Sequence, residues 1–241
     1  MIENCYKKND KVYLDPSIYE QPKEYFKSIV EKIRDVFAAT PFSIVDVGCA
    51  SGAFLHYAKS KLSLSKIAGI EISSEHLKQA RKVLPEAEFI LSSIETPKNK
   101  LSQTFDVCTF LGTMSIFDEI DIVLSNLMAL VGPGGHLWIC DLINDYPVDV
   151  IVRYRFSDEK KAGDWCSGLN IRSLSTYRRA LDRCSPMANL NISDFELPFP
   201  LPQKEDPLRS WTIQTEYKRH QLVVGTGQLL NFKIIHIEKS L

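Results

Sequence analysis

The chain has 241 residues, enough for one large domain or a domain with an appendage and for a substantial buried core. Hydrophobic residues make up 44% and charged ones 24%, and 29 basic residues stand against 30 acidic ones, so nothing in the bulk charge favours nucleic acid. No apolar run reaches the ~20 residues of a membrane-spanning helix, and no membrane partner is expected.

Residues 1–40 begin as a polar arm with Tyr6, Tyr13, Tyr19 and an Asp15-Pro16 turn. Such a segment is either a surface arm or a lid over an active site. From Pro22, Tyr25, Phe26, Ile29, Val30, Ile33, Val36 and Phe37 recur at helical spacing, which predicts an amphipathic helix packed on a sheet. The beginning, Met1 to Lys8, lacks the apolar core of a signal peptide. Six cysteines occur without a C-x-x-C pair, which argues against zinc and a disulfide framework. A reduced, cytoplasmic protein without a metal is the expectation.

The most informative stretch is Phe42 to Leu55. Ser43 to Val47 reads as a strand buried on both faces, and Gly48-Cys49-Ala50-Ser51-Gly52 as a tight turn into a helix starting at Ser51 or Gly52. The turn is not the G-x-G-x-x-G of a dinucleotide site, and no Gly-Lys-Ser/Thr follows, which excludes a P-loop. Asp46, at an apolar strand end, is expected to accept hydrogen bonds from the turn's N–H groups or to face a cationic ligand. A second buried strand, Lys66 to Ile72, carries the acid Glu71 at its end, where a doubly wound sheet receives a ribose.

Ser73 or Ser74 caps the next helix, which Pro85 stops. Strands follow at Glu88–Leu91 and Phe105–Gly112, then a helix from Asp118 with Ile122, Val123, Leu127 and Leu130 on its apolar face. Val131-Gly132-Pro133-Gly134-Gly135 turns into a fifth strand, His136–Asp141. This alternation predicts a parallel sheet with helices on both faces and ligands at the carboxyl ends, where strand order reverses.

Residues 142–241 are less regular. Asp145–Asn170 reads as an inserted loop or short helices, Ser173–Cys184 as a helix, and Asn191–Leu197 as a strand. Trp211–Thr215 and Gln221–Val224 form a hairpin around the charged turn Glu216–His220, and Asn231–Glu238 is a closing strand.

The glycine turn, Glu71, the Phe105-Asp106 opening and the Pro-Gly-Gly entry, in this order, resemble the class I S-adenosylmethionine-dependent methyltransferases over residues 40–141. The resemblance implies a doubly wound, mostly parallel seven-stranded sheet with an antiparallel last strand. It divides the chain into an arm and helix (1–40), a cofactor-binding core (41–141), and a substrate-facing insertion with sheet-completing strands of the same domain (142–241). It also implies that Asp46, Gly48, Cys49, Ala50, Gly52, Glu71 and Ile72 hold S-adenosylmethionine, with Ser93 and Ile94 at the adenine and Leu111 and Gly112 at the methionine end. Where the family commonly has Asp, this chain has Ser93.

The expected reaction is methyl transfer to an oxygen or nitrogen of a small-molecule acceptor, possibly sugar-containing, giving S-adenosylhomocysteine. Asp141 is the candidate base, with a loop or helix cap as its structural alternative. Tyr13, Tyr19, Asn144, Tyr154 and Arg172 are candidate acceptor contacts. Alternatives are methylation of protein or RNA, or a non-catalytic cofactor-binding regulator. His220 reads as a turn residue, and His136 and His236 are given no role.

Overall fold

The computed structural model describes residues 10–95, 103–158 and 163–241. Two single-turn helices, α1 (Asp10–Tyr13) and α2 (Ser17–Glu20), precede α3 (Glu24–Phe37), whose buried stripe is Phe26, Ile29, Val30 and Ile33. Strands and helices then alternate: β1 (Phe42–Val47), α4 (Ala53–Lys59), β2 (Leu64–Glu71), α5 (Ser74–Val83), β3 (Glu88–Leu91) and β4 (Phe105–Leu111). A 3-10 turn at Met114–Ile116 leads to α6 (Ile120–Leu130) and β5 (Val131–Asn144). The rest contains β6 (Arg153–Tyr154), β7 (Cys166–Ser167), β8 (Arg172–Ser173), α7 (Leu174–Cys184), β9 (Asn189–Asp194), β10 (Trp211–Ile213), β11 (Gln221–Val223), β12 (Leu229–Leu230) and β13 (Phe232–Glu238).

The main sheet runs β3-β2-β1-β4-β5-β13-β9, with β8 beside the end of β5. Strands β1 to β5 are parallel, and β13 runs antiparallel to both β5 and β9. This is the expected doubly wound sheet with an antiparallel last strand. Side chains of α3, α4 and α5 pack on one face and those of α6 and α7 on the other. Both faces are therefore covered, which is why β1 and β4 read as unbroken apolar runs. Strand order reverses between β1 and β4, and that crevice opens at their carboxyl ends.

Several elements differ from the sequence reading. The helix expected from Asp118 begins at Ile120, because the chain first turns through Met114–Ile116. Strand β5 reaches Asn144, since β13 pairs along it to Leu142 and β8 pairs Ile143 and Asn144. Asp141 therefore lies inside a strand and not at its end. In the insertion, β6 pairs β7 where loop or short helices were expected. Cys49, Cys108, Cys140 and Cys184 are free, whereas Cys166 is disulfide-bonded, contrary to the expectation of fully reduced cysteines. Asp106 is structural: its carboxylate accepts from the Ser43 amide and hydroxyl, both at 2.7 Å, tying β4 to β1 away from the crevice.

Gly69 on β2 lets the glycine turn approach the sheet. A Cβ there would lie 2.7 Å from Cys49 Sγ and 2.8 Å from the Phe89 ring. Gly69→Ala should destabilise the protein by about 1–3 kcal/mol in urea unfolding; an unchanged midpoint would mean that this packing is loose.

Candidate functional site

The turn after β1 is shaped by three consecutive demands on the backbone. Gly48 and Gly52 have φ of 70° and 83°, and Ala50 adopts φ of 46° without being glycine. A Cβ on Gly48 would crowd Thr113 Oγ1 at 3.1 Å. Gly52 caps α4, so the helix starts at Ala53.

The turn's amides are committed to the end of β2. Gly48 N and Cys49 N donate to the Ile70 carbonyl at 2.8 and 3.1 Å, and Ala50 N donates to Glu71 Oε2 at 2.9 Å. The other oxygen of Glu71 accepts from the Ile72 and Ser73 amides at 2.8 and 2.9 Å. Asp46 consequently receives no bond from the turn, which rules out the first of its two expected roles and leaves the second, facing a cationic ligand. Its Oδ1 accepts from Thr109 Oγ1 at 2.7 Å. Burial pushes the Asp46 carboxyl up to about 7, against the Thr109 bond and nearby Lys23, which lower it, while Glu71 adds to the rise.

These residues open onto a cavity of about 830 Å³, inside the ~300–1,000 Å³ range of small-ligand sites. Asp46, Gly48, Cys49, Ala50, Glu71, Ile72, Ser93, Ile94, Leu111 and Gly112 all line it. Gly52 does not; it packs toward Ala80 instead. Ile72 is 51% exposed despite its apolar side chain, leaving a bare surface suited to a flat ring. Asn126 Nδ2 donates to the Ile94 carbonyl at 2.6 Å and fixes the loop opposite.

The N-terminal arm forms the far wall. Ser51 Oγ donates to the Tyr13 carbonyl, and the Tyr19 hydroxyl donates to the Ser51 carbonyl at 2.9 Å. Tyr13, Ile18, Gln21, Lys23 and Tyr25 face the cavity. The Lys23 ammonium donates to the Tyr25 hydroxyl at 3.0 Å and lies 5.1, 5.4 and 5.6 Å from the ring centroids of Tyr13, Tyr25 and Phe26. Crowding by the protein atoms around it, helped by the charge of Arg209, brings its pKa down to about 8 although the side chain still meets solvent, while Asp46 opposes the shift.

Residues 45–137 match a family model described as a methyltransferase domain. That part of the chain carries a methyltransferase domain. No curated protein matches it. Solved structures share the fold at low identity: DhpI in complex with SAH (TM-score 0.56, 13% identity, 97% of this chain and 96% of that one) and a SAM-dependent methyltransferase from Methanosarcina mazei (0.58, 16%, 87% and 97%). A third is the plantazolicin methyltransferase BpumL with a triazolic desmethylPZN analog and SAH (0.58, 17%, 98% and 90%).

The donor set of this methyltransferase fits an adenosine joined to an amino acid. Glu71, Asp46 and Lys23 line the cavity together with apolar Ile72 and Ile94, and a Cβ on Gly112 would lie 3.6 Å from the Tyr25 hydroxyl. Among the described residues no group of three His, Cys, Asp or Glu could hold a metal ion.

The residues read as acceptor contacts separate. Tyr13 lines the cavity, and Tyr19 anchors the arm. Asn144 closes its own turn, donating to the Val148 carbonyl at 2.8 Å and accepting from Tyr146 N at 3.1 Å. Arg172 is 5% exposed and donates to the Asp118 carbonyl at 2.7 Å. Tyr154 sits in the β6–β7 pair, outside the cavity lining. Asp141, read as the base, is 1% exposed and also outside the lining. Its Oδ1 accepts from Leu142 N at 2.8 Å, and its other oxygen faces the Met114 and Ser115 amides without a bond of standard geometry. Burial pushes this carboxyl up to about 6. Lys23 and Tyr25 were not singled out from sequence, because a lysine just ahead of an amphipathic helix carries no pattern of its own.

The raised carboxyl of Asp46 has a sign that can be measured. Between its unfolded value near 4 and about 7, the folded state holds a proton that the unfolded state has lost, so its contribution to stability falls as pH rises. Asp46→Asn should therefore gain up to about 4 kcal/mol relative to the ligand-free wild type at pH 8, with the gap closing toward pH 4. Denaturant titrations at several pH values would show this, and a gap independent of pH would contradict it.

Proposed function

We propose that this methyltransferase moves a methyl group to an oxygen or nitrogen of a small-molecule acceptor, beneath a lid formed by the N-terminal arm. The observation that carries the reading is a single cavity that joins the glycine turn, Glu71, Ser93, Ile94, Leu111 and Gly112 on one side and faces the arm on the other. When bound, S-adenosylmethionine supplies an electrophilic methyl on a sulfonium. The chain's own residues bind, orient and exclude water.

Glu71 has lone pairs left after its three amide bonds and meets the ribose hydroxyls from the β2 end. Ile72 and Ile94 cover the adenine, and Ser93 lies beside it. Asp46 takes the ammonium of the amino-acid part and Lys23 its carboxylate, a complementary pair across one end of the cavity. Tyr13 and Tyr19 hold the lid closed on Ser51, which keeps water from the reacting atoms. The fold relative BpumL is a plantazolicin methyltransferase whose structure holds a triazolic desmethylPZN analog and SAH.

Calorimetry with S-adenosylhomocysteine tests the reading, and NAD serves as the control. Wild type should bind the former and ignore the latter; the reverse would end the proposal. Glu71→Ala should weaken binding by about 1–3 kcal/mol through loss of charge-assisted bonds. Lys23→Met should weaken S-adenosylhomocysteine but leave 5′-methylthioadenosine, which lacks the amino acid, unchanged. Equal loss for both ligands would remove Lys23 from the carboxylate.

A further inference from the structure

The arm and the start of α3 bring three aromatic rings around one point of the cavity. Tyr13, Tyr25 and Phe26 all line it, and their ring centroids lie 5.1, 5.4 and 5.6 Å from the Lys23 ammonium. Tyr25 and Phe26 meet edge to face at 82°, with centroids 4.8 Å apart, and so form a corner. Tyr13 is held through its backbone, where its carbonyl accepts from Ser51 Oγ, and its ring closes the third side. Ring faces grouped around a cation recognise alkylated ammonium groups, because each face carries negative quadrupole charge and asks for no hydrogen bond.

Lys23 is a temporary occupant of this corner. It is exposed, stands just ahead of α3, and its ammonium bonds the Tyr25 hydroxyl at 3.0 Å. On the proposed reading it turns to the cofactor's carboxylate, which leaves the three rings without a cation. The other charged residues of the lining, Asp46, Glu71, Glu75 and Glu95, are all acidic. Arg209, whose charge also reaches Lys23, has Asp206 3.7 Å away. A second cation entering the corner therefore meets balanced or negative surroundings.

We infer that the methyl acceptor is a small amine, and that the rings of Tyr13, Tyr25 and Phe26 receive its nitrogen once Lys23 has left them. The inference rests on the methyl transfer proposed above and narrows its acceptor atom to nitrogen. Tyr25 sets the corner beside Gly112: its hydroxyl lies 3.6 Å from where a Cβ on that glycine would stand. In the step, the amine lone pair forms the N–C bond as the S–C bond breaks, and the electron pair of that bond stays on sulfur. Positive charge passes from sulfur to nitrogen, toward the ring faces, so the cage favours the transition state over the neutral amine. A tertiary amine has no proton to lose; a primary or secondary one gives its proton to water after transfer. The same surroundings bring Lys23 down to about 8, so an amine seated there keeps an unprotonated fraction near neutral pH.

The test titrates choline, and separately its uncharged isostere 3,3-dimethylbutan-1-ol, into protein saturated with S-adenosylhomocysteine, a pairing that imitates the product state. Choline should bind saturably and about tenfold or more tighter than the isostere. Tyr25→Leu should lose that preference, and Tyr25→Phe, which keeps the ring, should retain it. Without S-adenosylhomocysteine, wild type should bind choline more weakly than Lys23→Ala, whose corner is already vacant. No binding of choline to the loaded protein, equal binding of choline and isostere, or an unchanged preference in Tyr25→Leu would overturn the inference and leave the methyltransferase reading intact. Should Tyr25→Leu fail to fold, the ligand-free comparison decides: equal choline binding by wild type and Lys23→Ala overturns it. Failure of wild type to bind S-adenosylhomocysteine strikes the earlier reading instead, and choline binding to Lys23→Ala still tests the cage.

Discussion

The structure depends on the stitching between the glycine turn and the end of β2. Three successive amides of the turn, from Gly48, Cys49 and Ala50, are taken up by the Ile70 carbonyl and the Glu71 carboxylate. One acid thereby does two jobs: it satisfies backbone donors at two element ends, and it presents negative charge to the crevice. Because Ala50 must hold a left-handed backbone to reach it, the turn is over-determined from both sides, by Gly48 and Gly52 and by Glu71. Parallel pairing of β1 with β2 sets the register that makes this reach possible, and Gly69 removes the side chain that would block it.

Charge in the cavity follows from that arrangement. Asp46 and Glu71 are close enough to raise the Asp46 pKa, and Lys23 is drawn toward the same region. Burial dominates each shift, which is the expected balance where ionisable groups face a partly enclosed space. The polar network around Asp118 supports this wall from outside. Its carboxylate accepts from Ser167, Asn170 and Arg153, and Arg172 grips the adjacent carbonyl, so the Phe117 segment is pinned against the cavity.

The core from β1 to β4 was legible because local signals agreed with tertiary packing. Small residues at 48–52, an acid closing an apolar run at Glu71 and Ser73 capping α5 each carry a physical reason at a fixed spacing. The cavity lining followed, since it is built from residues adjacent to those signals. Asp141 misled because a strand's end cannot be read from its sequence when a later strand, β13, extends the pairing. Arg172 and Asn144 misled because polar type does not reveal whether the partner will be a ligand or a neighbouring carbonyl. Lys23 stayed silent because it is unremarkable alone, and only tertiary placement brings it to the cavity wall.

The two bonds at Ser51 have a kinetic meaning. A single residue of the glycine turn both gives a hydrogen bond to the arm and receives one from it, so arm and turn open as a unit. A nucleoside-sized ligand held behind Tyr13 would then exchange at a rate that depends on how often Tyr13 and Tyr19 part from Ser51.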